Sequence, residues 1–252
     1  PRAIEGSVPY YERHFVVVDA LGRAEDWPKK LEFSDHIIST YAKSLNAIES
    51  QRGGDAKSSP LKITAVIPYT GDAACTGGAS GGHSAVRPAA GVHDVLVFPD
   101  NIRVHEMSAA QIDAFVHEGA HGGANWTAAL EKLNLRHSPV EKGFHLLVCA
   151  HANRDFRCAC AGPKMLEWLR QVARERGAPL HLWAASHYGG HRYAGNCVAY
   201  PSGDWFGMIN SKEDAQQMVA ALLDNAPLRL VDQWRGRIQM TKAEQVAALQ
   251  HA

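Results

Sequence analysis

The chain alternates short aliphatic runs with stretches of helical spacing. Phe15-Val16-Val17-Val18 is such a run, and apolar spacing from Leu31 to Leu45 predicts a helix behind it. Lys62 to Pro68 and Val95 to Pro99 follow as strands, and Ser108 suits the N-cap of a helix reaching Val116. After the turn-prone Arg136-His137-Ser138-Pro139 the order begins again. His145 to Val148 reads as a strand, Pro163 to Ala173 as a helix, Leu180 to Ala184 and Cys197 to Tyr200 as strands, and Ser211 to Leu223 as a helix. This alternation predicts an α/β fold.

The two halves read as one plan used twice. Pro28-Lys29-Lys30-Leu31-Glu32-Phe33 parallels Pro163-Lys164-Met165-Leu166-Glu167-Trp168, and Val97-Phe98-Pro99 parallels Ala199-Tyr200-Pro201. The expected division is residues 1–138 and residues 139–252, the latter ending in a C-terminal tail. The halves differ in their first loop: Asp19 to Pro28 is about five residues shorter than Cys149 to Pro163. The extra residues bring in Cys158-Ala159-Cys160, so the second half is where chemistry is expected.

Composition narrows the classes. With 252 residues, 46% hydrophobic and 21% charged, the chain is ordinary globular material. Lys plus Arg equals Asp plus Glu at 26 each, so no net field draws nucleic acid or an anionic membrane. No apolar run approaches the roughly 20 residues of a membrane span, and the start lacks the apolar stretch of a secretory signal. Five cysteines, an odd and unevenly spaced set, point to a reducing, cytoplasmic setting.

Two motifs carry candidate chemistry. Cys158-Ala159-Cys160 is expected in a loop just before a helix, where thiolates gain from the helix dipole and free N–H groups. His187-Tyr188-Gly189-Gly190-His191 follows a strand, and its glycines favour a tight loop turning both imidazoles toward one point. Two thiolates and two imidazoles suit zinc or a [2Fe–2S] cluster, and spacing alone does not separate them. A redox disulfide is disfavoured, since C-x-C lacks the C-x-x-C pattern. Cys149 and Cys197, at predicted strand ends, read as buried small hydrophobes.

These motifs, with Phe156 to Trp168, the run His187 to Asn196 and Trp234-Arg235-Gly236, resemble the sucrase/ferredoxin-like family. The resemblance implies two tandem thioredoxin-like domains. In the second, Cys158, Cys160, His187 and His191 would ligate a [2Fe–2S] cluster; the first would carry no ligands. It implies an electron-transfer protein, with imidazoles that couple electron to proton movement, serving a redox partner protein rather than nucleic acid or a membrane. Arg157, Arg192, Tyr188 and Tyr193 flank the ligands as candidates to shield or hydrogen-bond the cluster. The alternative from another class is a structural Cys₂His₂ zinc domain acting as an interaction module.

Two further signals carry less. Val116-His117-Glu118-Gly119-Ala120-His121 contains H-E-x-x-H, the zinc-protease signature, but Gly119, Gly122 and Gly123 disfavour a continuous helix there. Gly77-Gly78-Ala79-Ser80-Gly81-Gly82-His83 lacks the Lys-Ser/Thr of a phosphate loop and reads as a surface loop, with Cys75 and His83 as remnants of a lost site or part of a lid.

Overall fold

The computed structural model of the chain describes residues 4, 6–20, 22–53, 59–71, 91–121 and 126–250. The first half runs β1 (Arg13–Val18), α1 (Ile38–Gln51), β2 (Leu61–Pro68), β3 (Val92–Phe98), β4 (Ile102–Ser108), α2 (Ile112–His121), α3 (Trp126–Lys132) and β5 (His137–Pro139). The second runs β6 (Phe144–Cys149), α4 (Phe156–Arg176), β7 (Leu180–Ala185), β8 (Cys197–Tyr200), β9 (Asp204–Phe206), α5 (Lys212–Leu223), β10 (Trp234–Arg237) and α6 (Lys242–Gln250). The glycine-rich stretch 77–83 and Cys75 lie outside the described residues.

The ten strands of the described residues join one sheet, in the order β10-β9-β8-β6-β7-β2-β1-β3-β4-β5. β1 pairs parallel with β2 and antiparallel with β3, which pairs antiparallel with β4. β6 does the same with β7, β8 and β9. The halves meet where β2 pairs antiparallel with β7, from Val66 opposite Ala185 to Pro68 opposite Trp183. The α/β class is as expected, but the strands form one continuous sheet rather than two separate ones. The outer strand of each half has an edge to satisfy, and each satisfies the other's.

Alternation along the strands sorts the core. Phe15 and Val17 face α1 and α2, while Leu146 and Val148 face α4 and α5. The intervening Val16, Val18, Leu147 and Cys149 share a third cluster drawn from both halves. Within it the Phe98 and Tyr200 rings stack at 4.0 Å, and Tyr200 Oη lies 2.7 Å from His14 Nδ1. Since β6, β7 and β2 separate β8 from β1 in the sheet, the sheet curves so that side chains of β1, β3 and β8 meet in this cluster.

Several elements depart from the expectation. The predicted helix over 31–45 is a short 3-10 turn at Leu31–Phe33 followed by α1. Ser34 Oγ donates to the Leu31 carbonyl and accepts the His36 N–H, local bonds that compete with helix. β4 escaped notice because Glu106 sits at φ 50° and shifts the register, so buried Val104 and Met107 fall three apart. α2 continues through Gly119 to His121. Gly119 faces the core, where an added Cβ would stand 2.3 Å from the Phe15 ring.

That ring is wedged between Phe115 at 4.3 Å and Trp126 at 5.7 Å, so it has little room to give. Gly119→Ala should therefore destabilise the fold although alanine favours helix by about 1 kcal/mol. Overpacking of roughly 1–3 kcal/mol outweighs that gain. Urea unfolding should show a lower midpoint at unchanged slope; an unchanged or higher midpoint would refute the packing argument.

Candidate functional site

The C-terminal end of β6, the first turn of α4 and the loop after β7 converge on one point. α4 starts at Phe156, seven residues before Pro163, because Asp155 caps it: its Oδ1 accepts the Arg157 N–H at 3.0 Å. Cys158-Ala159-Cys160 is thus helical rather than a loop. Positions two apart on a helix do not face one another, and the structure separates them accordingly: Cys158 is buried and Cys160 is exposed.

The thiol that joins Cys158 is Cys149, the last residue of β6. Cys149 Sγ, Cys158 Sγ and a His187 ring nitrogen all lie within 4.8 Å of one another. Cys149 Sγ is 3.9 Å from His187 Nδ1. Among the described residues this is the one Cys/His/Asp/Glu group of three or more with donor atoms close enough to hold a metal ion. Gly162 makes the approach possible, since a Cβ there would sit 2.4 Å from the Cys149 carbonyl oxygen and 2.9 Å from Ala150 Cα.

Electrostatics divide the pair. A hydrogen bond from the Cys149 thiol holds Cys158 well below the ordinary thiol range, with His187 helping against the cost of burial. Cys149 is pushed the other way, chiefly by that same bond and then by burial. Cys158 also sits in the first turn of α4, where the helix dipole favours a thiolate.

The histidine loop is fastened from several sides. Gly190, at φ 77°, lies against Arg235, whose nitrogen a Cβ would meet at 2.3 Å. Arg235 is buried, donates to Asn196 Oδ1 at 2.9 Å, and lies about 5 Å from the Tyr193 and Trp205 rings. Asn196 in turn donates to the Gly190 carbonyl at 2.8 Å. Tyr188 donates to the carbonyls of Leu147 and Asn196, making it scaffold. His151 Nδ1 accepts the His187 N–H at 3.2 Å while Nε2 donates to the Pro28 carbonyl, fixing a neutral tautomer that burial also favours.

His191 is half-exposed, its ring 5.5 Å from that of His187 and its Nδ1 3.8 Å from Asp155 Oδ2. It stands beside the group of three. Arg157 is exposed and pairs with Asp155, and Arg192 is exposed beside Tyr193. Cys197 is buried and inert, its thiol pushed up by burial. Sequence reasoning missed Cys149 as a donor. Its position at the C-terminal end of a strand, where α/β folds gather ligands, was the available signal. His117 and His121 stack at 4.1 Å on the exposed side of α2, and Glu118 pairs with Lys132, so the H-E-x-x-H motif has no third ligand among the described residues.

An α/β chain with a Cys₂His group at its strand ends is the setting for comparison with known proteins. The sequence model described as sucrase/ferredoxin-like matches residues 4–236, and the chain belongs to that family. Among its relatives is a Debaryomyces hansenii protein named "Altered inheritance of mitochondria protein 32", 24% identical over 221 residues, 78% of this chain and 72% of that one. A protein of the same name from Eremothecium gossypii is 24% identical over 80% of this chain and 71% of its own length. Another from Meyerozyma guilliermondii is 33% identical over 37% of this chain and 34% of its own length. No solved structure matches the chain.

These findings correct the functional expectation. The relatives are named for mitochondrial inheritance, and neither their names nor the geometry gives evidence of iron–sulfur electron transfer or of a zinc interaction module. What stands is the family and a Cys₂His group able to hold a metal. No helix among the described residues is long and apolar enough to cross a membrane.

In metal-free protein the buried Cys158 should still be a thiolate at neutral pH, where an ordinary cysteine is only a few per cent so, as read from the ultraviolet thiolate absorbance that Cys158→Ser removes. That absorbance should inflect below the ordinary thiol value of about 8.5. Gly162→Ala, which forces α4 off β6, and His187→Ala, which removes a hydrogen bond to the thiolate, should both move that inflection upward. A wild-type profile centred on the ordinary value would dispose of the assignment.

Proposed function

We propose that the protein acts in the process its relatives are named for, the inheritance of mitochondria, through a metal site built from Cys149, Cys158 and His187, with His191 as the fourth donor. The observation that carries this is the mutual approach of three soft or borderline donor atoms within 4.8 Å at the joined ends of β6, α4 and β7. The donor set fits a metal. Around a tetrahedral ion bound at about 2.0–2.3 Å the ligand atoms stand somewhat closer together than this, and a small inward shift suffices. Cys158 is already poised as a thiolate, the form that ligates.

When bound, a metal would cross-link a strand end, a helix start and the histidine loop, and so add its binding energy to the stability of the second half. Cys149 is preferred to Cys160 as the second thiolate because Cys160 points to solvent. His191 is the candidate fourth donor because its half-exposed ring lies 5.5 Å from that of His187. The repeated pairing order supports reading residues 1–138 and 139–252 as one thioredoxin-like unit used twice. The four described cysteines are free, which supports a reducing compartment such as the cytoplasm.

The test is metal and acid-labile sulfide analysis of anaerobically purified protein. Wild type and Cys160→Ser should carry stoichiometric metal, and Cys149→Ser and His187→Ala should lose most of it while keeping their circular dichroism. Iron and sulfide in equal amounts would identify a [2Fe–2S] cluster, whereas a lone ion would identify a mononuclear centre. Retention of metal in Cys149→Ser with loss in Cys160→Ser would return the second thiolate to Cys160.

A further inference from the structure

A cavity of about 500 Å³ opens beside the histidine loop, between α1, the N-terminal part of β2 and the start of the second half. It exists because β7 stops pairing with β2 at Ala185. Ser186 bonds Ala65 by its N–H and Oγ, and beyond that point β2 has no strand on this side. The volume suits a small organic molecule, for which clefts of about 300–1,000 Å³ are usual.

The lining has two characters. Leu31, Phe33, Ile38, Leu45, Leu61 and Ile63 form an apolar wall. Lys29, Lys62 and Arg154 supply three cations against one acid, Glu32. Among the described residues none of the three cations has an acidic partner within ion-pair distance. Arg154 donates to the Lys29 carbonyl at 3.3 Å.

Lys62 is the informative one. Its ammonium lies 5.7 Å from the Tyr11 ring and 5.3 Å from the Trp205 ring, with no acid beside it. Burial, reinforced by the charge of Arg235, lowers its pKa to about 8. A largely buried ammonium with only ring faces for company is costly unless a counter-charge arrives. At the rim, Phe33 is 75% exposed, with the Lys30 ammonium 5.2 Å from its ring, and Tyr10 is 48% exposed.

We propose that this cavity binds a small organic anion with an apolar body, its charged group held by Lys62 with Lys29 and Arg154 and its body lying along the wall from Leu31 to Ile63. The inference stands on the cavity and its cations and not on the metal site, although His187 borders both. Charge complementarity selects the anion over a neutral molecule of the same shape. The apolar wall selects a carbon chain or ring over a bare inorganic ion.

The test follows fluorescence of 1-anilinonaphthalene-8-sulfonate on the full chain as purified, displaced by decanoate and, separately, by decanol. Decanoate should displace it at a concentration about tenfold or more below decanol, the equivalent of one charge-assisted hydrogen bond. Lys62→Met should shrink that gap, as should Lys29→Gln, which lies at the surface and leaves folding alone. Ala42→Trp, which fills the cavity from α1, should weaken decanoate by more than about tenfold, the loss expected when the apolar wall is occluded. Equal displacement by acid and alcohol, or an unchanged decanoate affinity in Ala42→Trp, would overturn the proposal. Metal content measured in the same samples should match wild type, which separates failure here from failure of the metal site.

Discussion

The close approach of α4 to β6 at Gly162 is the constraint on which the site depends. A single added carbon would meet the Cys149 carbonyl oxygen at 2.4 Å, so only glycine lets the helix lie this near the strand. From that contact the rest follows geometrically. The first turn of α4 arrives beside the end of β6, Asp155 caps it there, and Cys158 comes to rest against Cys149. The hydrogen bond and helix dipole that make Cys158 acidic are consequences of this docking, not independent features. A helix one residue out of register would turn Cys158 away and leave an ordinary buried thiol.

A second constraint comes from the curving of the sheet. Where side chains of its two halves meet, the interior contains Tyr11, Tyr200, Trp205 and His14 joined by hydrogen bonds, with Trp205 Nε1 donating to Tyr11 at 2.7 Å and Tyr11 lying 3.2 Å from Tyr200. Two cations, Lys62 and Arg235, reach this aromatic layer at the Trp205 ring. Arg235 is satisfied by Ser7, Asn196 and ring faces, and its role is to hold the histidine loop. Among the described residues Lys62 has rings but no acceptor, and it borders the cavity. The contrast shows why one buried cation reads as structural and the other as awaiting a ligand: hydrogen-bond satisfaction, not burial, distinguishes them.

Much of this was legible in the sequence, and the gaps have physical causes. Strands β1, β2, β6 and β7 each carry a short aliphatic run, such as Phe15 to Val18 and Ala65 to Ile67, so composition finds them although Lys62, His145 and His181 interrupt the apolar positions. β4 and β10 are not such runs, because positive-φ residues at Glu106 and Gly236 interrupt the alternation. The helix start was misplaced because Pro163 is a conspicuous signal, whereas Asp155 caps an element whose first turn carries only one buried apolar side chain, Cys158. Moving the start seven residues changes which cysteines meet: Cys158 lies against Cys149, while Cys160 is exposed. The histidine loop was legible because paired glycines exclude helix whatever surrounds them. Lys62 and its cavity were not legible: an isolated lysine in a strand pattern gives no sign that the neighbouring strand stops short.

The first half explains itself once the strand ends of the two halves are compared. After β6 come free thiols and imidazoles. After β1 comes Asp19, which accepts from Trp27 Nε1 at 3.0 Å and from His36 Nε2 at 2.9 Å. Burial would raise its pKa, but those bonds outweigh burial and keep it ionised. Among the described residues the equivalent corner is therefore closed by its own side chains. Closing it fixes the loop from Arg23 to Pro28, whose backbone is put to use across the seam. The carbonyls of Glu25 and Trp27 accept from Asn153, and that of Pro28 accepts from His151. His151 is thereby held neutral and oriented to receive the His187 N–H. An internally satisfied corner in one half thus positions a ligand-bearing loop in the other, which gives the first half a definite mechanical part in the site.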